Sequence, residues 1–239
     1  NIFSTGSNNF CHGDSVLIQV DSIYSTYLWS DNSSLSYFYA DTTASYFVTV
    51  TDTNGCSNNS DTISITSYIN PIVDFSVDGV CLGIPTYYIN QSVIPIDQIS
   101  SNIWYLGNGD INSGDTVSYT YNQIGTYPVS LSIKTDIGCK DSLTKMVSII
   151  GNPKADFKHS PLSISTLNPQ ISFVNNSLNA SQLLWDFGDS TFSVDSDPYH
   201  TFDDPGIYNV MLIVKDINEC TDSISKNIIT YQILIEDLV

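Results

Sequence analysis

The sequence predicts an all-β protein, three tandem β-sandwiches in an extended row. Three observations carry that expectation. The acidic residues are 23 Asp and only 2 Glu, and Asp suits turns and caps where Glu suits helix interiors. No stretch of a dozen residues shows a 3.6-residue apolar period; short alternating runs separated by Gly, Asn, Asp and Pro recur instead. The chain also repeats itself, since Trp104 and Trp185, Tyr127 and Tyr208, and Cys139 and Cys220 are each 81 residues apart.

The repeat sets the organisation. "IGTYPVSLSIKTDIGCKDS" (124–142) aligns without a gap on "PGIYNVMLIVKDINECTDS" (205–223), and "ASYFVTVTDTNGCSNNS" (44–60) is a looser third copy. Pro-containing junctions, "YINPIVDF" (68–75) and "GNPKADF" (151–157), place the boundaries, giving domains 1–69, 70–151 and 152–239. These linkers are short and lack Gly/Ser flexibility, which predicts a fairly stiff row. Within each copy the Tyr strand is the clearest element. Tyr208, Val210, Leu212 and Val214 share one face, as do Tyr127, Val129, Leu131 and Ile133, and more briefly Tyr46, Val48 and Val50. One buried face per strand means two packed sheets. Trp29, Trp104 and Trp185, on inner strands, are expected in the cores together with Tyr46, Tyr127 and Tyr208.

Charge excludes some functions. All seven cationic residues are Lys, and the net charge is −18. A phosphate backbone needs Lys and Arg to neutralise it, and an anionic membrane repels such a chain, so nucleic acid and membrane surfaces are excluded as partners. No apolar run approaches spanning length. No signal peptide is visible and position 1 lies mid-pattern, so the sequence reads as a piece of a mature, longer chain.

The stretch "LLWDFGDS…PYHTFDDPGIYNVMLIVKD…C" resembles the PKD domain, an immunoglobulin-like β-sandwich. Residues 152–230 carry nearly the full motif. Residues 70–151 depart from it, with Tyr105 where Asp186 stands, Asn108 for Asp189 and Tyr119 for His200. The first domain, "CHGDSVLIQV…YLWSDNSS…YFVTVTDTNGC", looks like the related Ig-like repeats of large Bacteroidota surface proteins. The resemblance implies three immunoglobulin-like, PKD-type sandwiches of a gliding-motility type adhesin, cargo of the type IX secretion system. It also implies an extracellular, cell-surface location. In such chains a secretion-signal domain often follows the last repeat, and "YQILIEDLV" (231–239) looks like the strand leading to it. That missing domain would engage the secretion or motility machinery of the outer membrane.

In the PKD family the Trp-Asp-Phe-Gly-Asp stretch is a structural corner. Trp185 is core, Gly188 permits a tight turn, and the Asp side chains accept backbone N–H groups. The sharper alternative is a structural calcium site at Asp186, Asp189, Asp203 and Asp204, whose hard oxygens suit that ion; the spacing of a calcium-binding loop is not present. No other cofactor is expected. Catalysis is not expected either: His12, His159 and His200 accompany no nucleophile at a recognisable elbow. His200 is expected to hydrogen-bond across the corner.

Five cysteines leave one over. In an Ig-like sandwich Cys11 and Cys81, before the second strand, lie at the C-terminal end of a module. Cys56, Cys139 and Cys220, after the Tyr strand, lie at the opposite end, about 20 Å away by strand length, while a disulfide needs Cα atoms within about 7 Å. Head-to-tail packing then favours staggered bonds, Cys11–Cys139 and Cys81–Cys220, with Cys56 reaching an upstream domain. Pairing within domains, Cys11–Cys56 and Cys81–Cys139, is the alternative, and reduced thiols a third.

Six Asp-Ser/Thr-apolar triplets, with hydroxyls at Ser15, Ser22, Thr62, Thr116, Ser142 and Ser223, resemble the O-glycosylation sequon of Bacteroidota. Their plain reading is a turn Asp followed by a strand that starts with Ser or Thr. "YSTYLW" (24–29) and "YFY" (37–39) make the first domain the best candidate for stacking on a surface polysaccharide. The expected function is a non-catalytic stalk segment of a long secreted adhesin or filament, holding a distal binding region away from the cell. The alternative is a polysaccharide-binding or spacer module of a secreted hydrolase.

Overall fold

The computed structural model describes residues 1–95 and 98–232. Among them no helix occurs. The expected exit strand of 231–239 lies, from residue 233 on, outside the described residues. The chain forms two compact units. One comprises Asn1–Val77, Tyr87–Val117 and Tyr127–Met146; the other comprises Asp78–Thr86, Ser118–Thr126 and the chain from Val147 onward.

The first repeat contains β1 (Ile2–Ser4), β2 (Asn9–Cys11), β3 (Val16–Val20), β4 (Thr26–Trp29), β5 (Tyr37–Ala40), β6 (Ala44–Tyr46), β7 (Val48–Thr51), β8 (Ser57–Asn59) and β9 (Ile63–Tyr68). They form three-stranded sheets in the orders β1-β3-β5, β2-β9-β6 and β4-β7-β8. The alternation of "VLIQV" turns Val16 and Ile18 inward, where they meet Trp29, Ala40, Tyr46, Val48 and Ile65 in one buried cluster.

The second repeat runs through β10 (Phe75–Asp78), β11 (Pro85–Asn90), β12 (Ile99–Tyr105), β13 (Ile111–Ser113), β14 (Thr116–Thr120), β15 (Gly125–Thr135) and β16 (Lys140–Ile149). Its sheets have the orders β10-β11-β14 and β13-β12-β15-β16. The third repeat adds β17 (Phe157–Ser160), β18 (Ser163–Ser165), β19 (Gln170–Asn175), β20 (Gln182–Asp186), β21 (Phe192–Ser193), β22 (Tyr199–Thr201), β23 (Gly206–Lys215) and β24 (Thr221–Tyr231). Sheet β17-β19-β22 faces sheet β18-β24-β23-β20-β21 over a core of Phe157, Phe173, Trp185, Phe187, Phe202, Val210, Leu212, Val214 and Ile228. The β23–β24 hairpin is paired without a break from Gly206↔Thr230 to Lys215↔Thr221.

All three tryptophans are buried, and each indole N–H donates to a loop carbonyl: Trp29 to Leu35 at 2.8 Å, Trp104 to Gly114 at 2.9 Å and Trp185 to Asp195 at 3.0 Å. The donor inside each core is therefore satisfied. Tyr46 is buried, while Tyr127 and Tyr208 are half-buried. Tyr208 sits at the rim because its hydroxyl must reach a partner: it donates to the Asp204 carbonyl at 2.9 Å.

One small element recurs in every repeat. A segment ahead of the second core strand pairs in parallel with the exit strand. Cys11 stands opposite Tyr68, Cys81 opposite Ile150 and Ser165 opposite Tyr231. The next N–H then donates to that same exit-strand carbonyl, from His12 at 2.7 Å, Leu82 at 2.9 Å and Thr166 at 3.1 Å. The third repeat thus carries Ser165 where the others carry Cys11 and Cys81.

Candidate functional site

The cysteine turns are built from backbone upward. Cys11 and Cys81 are followed two residues on by Gly13 (φ +97°) and Gly83 (φ +75°), in the left-handed region that costs other residues about 1–2 kcal/mol. The turn is tied to the linker behind it: Asn70 Nδ2 donates to the His12 carbonyl at 3.0 Å, and Asn152 Nδ2 to the Leu82 carbonyl at 3.2 Å. The Asn-Pro junctions therefore brace the cysteines as well as separating the repeats.

The other half of each bond lies in the turn after the Tyr strand. There the Cys139 N–H donates to Thr135 Oγ1 at 3.2 Å, and the Cys220 N–H to Asp216 Oδ1 at 2.9 Å. Cys11 is bonded to Cys139 with Cα atoms 5.4 Å apart, and Cys81 to Cys220 at 5.5 Å, within the span a disulfide requires. Each bond ties one repeat to the next. Cys139 and Cys220 are 1% exposed. Cys56 occupies the same turn in the first repeat, its N–H donating to Asp52 Oδ1 at 2.9 Å, and is free and exposed.

The Trp185 corner is a closed hydrogen-bond cluster. Asp186 Oδ1 accepts the Gly188 N–H at 2.9 Å, and Asp189 Oδ1 accepts the Thr191 N–H at 3.0 Å together with the Thr191 hydroxyl. Asp189 Oδ2 lies 2.7 Å from His200 Nε2. The imidazole stacks on Phe187, 4.0 Å between centroids and 2° between planes, and meets Phe202 edge-on at 4.6 Å. Partial burial pushes the Asp189 carboxyl up, but hydrogen bonds from Thr191 and His200 together outweigh it and hold the group below the ordinary carboxylate value.

Asp203 and Asp204 are exposed, and Asp204 contributes its backbone carbonyl, which accepts from Tyr208 and from Thr230 Oγ1 at 2.8 Å. Among the described residues no group of three or more His, Cys, Asp or Glu converges as a metal site. Asp186 and Asp189 each accept from the corner's own backbone N–H groups, and the imidazole is directed at a carboxylate. The second repeat closes this turn differently: Asn108 Nδ2 donates to Asp110 at 2.8 Å, and Tyr105 points outward.

Several other expected sites are placed by the strands. The hydroxyl residues Ser15, Ser22, Thr62, Thr116, Ser142 and Ser223 are all exposed. Strand alternation turns Thr116, Ser142 and Ser223 outward on β14, β16 and β24, Thr116 standing beside buried Val117, while Ser15, Ser22 and Thr62 lie outside the strands. Tyr37 and Tyr39 are 44% and 61% exposed, but their rings stand at 86° to each other, not coplanar. Phe38 turns inward onto Trp29 and Tyr46.

Sequence reasoning missed a pair of lysine clamps. Lys145 Nζ lies 4.7 Å from the Phe75 ring centroid, donates to Asp74 at 2.7 Å and also to the Phe75 carbonyl. Lys226 repeats this on Phe157 at 4.7 Å, with Asp156 at 3.1 Å and the Phe157 carbonyl. The lysine hydrogen bond holds each Asp carboxyl below its ordinary value. The signal was available: "DF" after each Pro junction, and two lysines 81 residues apart in a chain with seven. The tyrosine hydroxyl bonds were missed too. Tyr46 Oη donates to the Thr42 carbonyl at 3.2 Å and Tyr208 to Asp204, both four residues back, the tyrosine corner of Ig-like sandwiches.

Comparison with known proteins identifies the family. The PKD domain pattern matches residues 70–150 and 153–231, more than half of the chain. Among solved structures, the PKD1 domain of Vibrio anguillarum Epp is 26% identical over 34% of this chain and 93% of its own, with a TM-score of 0.31. The PKD1 domain of the Vibrio cholerae metalloprotease PrtV is 25% identical over 34% of this chain and 98% of its own, with a TM-score of 0.32. The eight N-terminal Ig domains of Down Syndrome Cell Adhesion Molecule share 9% identity and a TM-score of 0.50, over 95% of this chain and 35% of theirs, a likeness of fold alone. PKD and Ig-like sandwiches are typically non-catalytic modules. With two tandem copies of the pattern, the chain belongs to the PKD domain family.

Proposed function

We propose that this chain is a non-catalytic structural segment of a long secreted cell-surface adhesin or filament, a stalk that holds a distal binding region away from the cell. The observation that carries the reading is the pair of disulfides, Cys11–Cys139 and Cys81–Cys220, each running from one repeat to the next. A catalytic or sugar-binding module gains little from such bonds, whereas a load-bearing array gains a covalent tie at every junction. Disulfides also persist in oxidising compartments, and together with PKD membership they indicate a secreted or extracellular protein. The finer reading, a gliding-motility type adhesin exported by the type IX secretion system and O-glycosylated at some of the six Asp-Ser/Thr sites, rests on sequence resemblance. Its partners would be neighbouring repeats and, through a domain absent from this sequence, the outer-membrane secretion or motility machinery.

The test is the architecture and location of the parent protein in its native source, read by cell fractionation and by peptide coverage of the intact chain. A long surface-attached chain of similar repeats is the expected result. A short secreted chain in which these repeats adjoin a hydrolase domain would overturn the stalk in favour of an accessory module. Glycan pull-down separates the two further. Exposed Tyr37 and Tyr39 favour a polysaccharide surface only if their replacement by Ala abolishes retention on it.

A further inference from the structure

We propose that the Cys56 turn is the receiving half of a third inter-repeat staple, whose partner is the cysteine of a Cys-x-Gly turn in another repeat N-terminal to the first. This rests on the stalk reading and goes beyond it by naming the partner chemistry and its place. Three observations converge. The turn recurs in every repeat: the cysteine N–H donates to the side chain four residues earlier, Cys56 to Asp52 and Cys220 to Asp216 at 2.9 Å, and Cys139 to Thr135 Oγ1 at 3.2 Å. In the two repeats whose predecessor is present, the cysteine of this turn is bonded backward, Cys139 to Cys11 and Cys220 to Cys81, and is covered.

In the first repeat Cys56 instead lines an open groove of about 370 Å³, together with Val20, Val48, Val50, Asp52 and Ser57. Within the chain no partner remains, because Cys11 and Cys81 are both engaged and the third repeat carries Ser165 at their position.

The occupant is a Cys-x-Gly turn because both observed partners are one, Cys11-His12-Gly13 and Cys81-Leu82-Gly83, each braced by a linker Asn. The observed bonds span 128 and 139 residues, which places the partner cysteine roughly 73 to 84 residues before Asn1 if the repeat keeps its length. Formation is balanced by thiol–disulfide exchange. The Cys56 thiol and the partner thiol each lose a proton and together two electrons, forming one S–S bond. The electrons pass to the disulfide of a thiol–disulfide oxidant, which leaves as its dithiol.

The experiment is a non-reducing peptide map of the parent protein from its native source, with free thiols alkylated before digestion. The expected result is the Cys56 peptide joined to a peptide containing Cys-x-Gly from outside this sequence. Cys56 recovered alkylated, or joined to Cys56 of a second copy, overturns the inference. Either of those outcomes in a long repeat chain leaves the stalk reading standing. A hydrolase domain in the same chain would remove the stalk reading whatever Cys56 does, so the two failures are told apart.

Discussion

Gly107 and Gly188 are 81 residues apart and have nearly the same backbone, φ +78° and +77°. Each is pressed against the Tyr strand of its own repeat. A Cβ at Gly188 would stand 2.8 Å from the Asn209 carbonyl oxygen, and one at Gly107 2.9 Å from Pro128. Gly55 has φ +83° but open space around its Cβ position. Gly188→Ala is therefore expected to destabilise the protein by well over the ~1–2 kcal/mol of a left-handed alanine, because backbone cannot give way, while Gly55→Ala costs about that penalty alone; denaturant unfolding of the two variants measures the difference. Asp189 adds a pH dependence. Its folded pKa lies below the unfolded value near ~3.9, so its contribution is present above that value and is lost as pH falls through the folded pKa. Asp189→Asn should flatten the acid limb of a stability–pH profile below about pH 4, and an unchanged limb would mean that the hydrogen bonds to Thr191 and His200 do not favour the charged form.

At the scale of elements, the lysine clamps tie the first strand of each PKD repeat to its last. Lys226 on β24 reaches Asp156 and the Phe157 carbonyl at the start of β17, and Lys145 on β16 does the same at β10. The side chains are one-third to one-half exposed, so the ion pair is screened; the carbonyl bond and the ring contact remain. Lys226→Met, which keeps the stem and removes the charge, should lower the melting temperature of the third repeat and leave the first unchanged, as hydrogen exchange at β17 would report.

These elements also show what was legible. The 81-residue period and the two-residue alternation of β15 and β23 fix strands and cores, because burial needs only pattern. The clamps were not legible as such, since a lysine at period 81 reads equally as a solvated face; only a fold that brings first and last strands together gives it a partner. Ser165 was hidden for a similar reason: its equivalence to Cys11 and Cys81 lies in parallel pairing with the exit strand, not in flanking residues. At the corner, the aromatic stacking of His200 on Phe187 follows from residues two strands apart, which spacing does not show.

At the scale of the molecule, the two disulfides close loops of 128 and 139 residues. Constraining the unfolded chain over such loops stabilises by about 2–5 kcal/mol each. The double variant Cys81→Ser/Cys220→Ser is expected to lose that much in the unfolding transition of the third repeat; full retention of stability would mean that packing alone holds the junction. The bonds also interlock, because the order along the chain is Cys11, Cys81, Cys139, Cys220 and each loop contains one end of the other. The shortest covalent path from Cys11 to Cys220 enters at Cys139, runs back along the chain to Cys81, and leaves there, crossing 58 residues of a separation of 209. At about 3.4 Å per extended residue, the taut length between those two points is roughly 200 Å with both bonds closed and roughly 700 Å with both open. Pulled from its ends in an oxidising medium, the protein is expected to reach a short, abrupt limit even with every sandwich undone, and a reductant should release the remaining length in steps. Built this way, a tether fails safe: overload can denature it without letting it pay out.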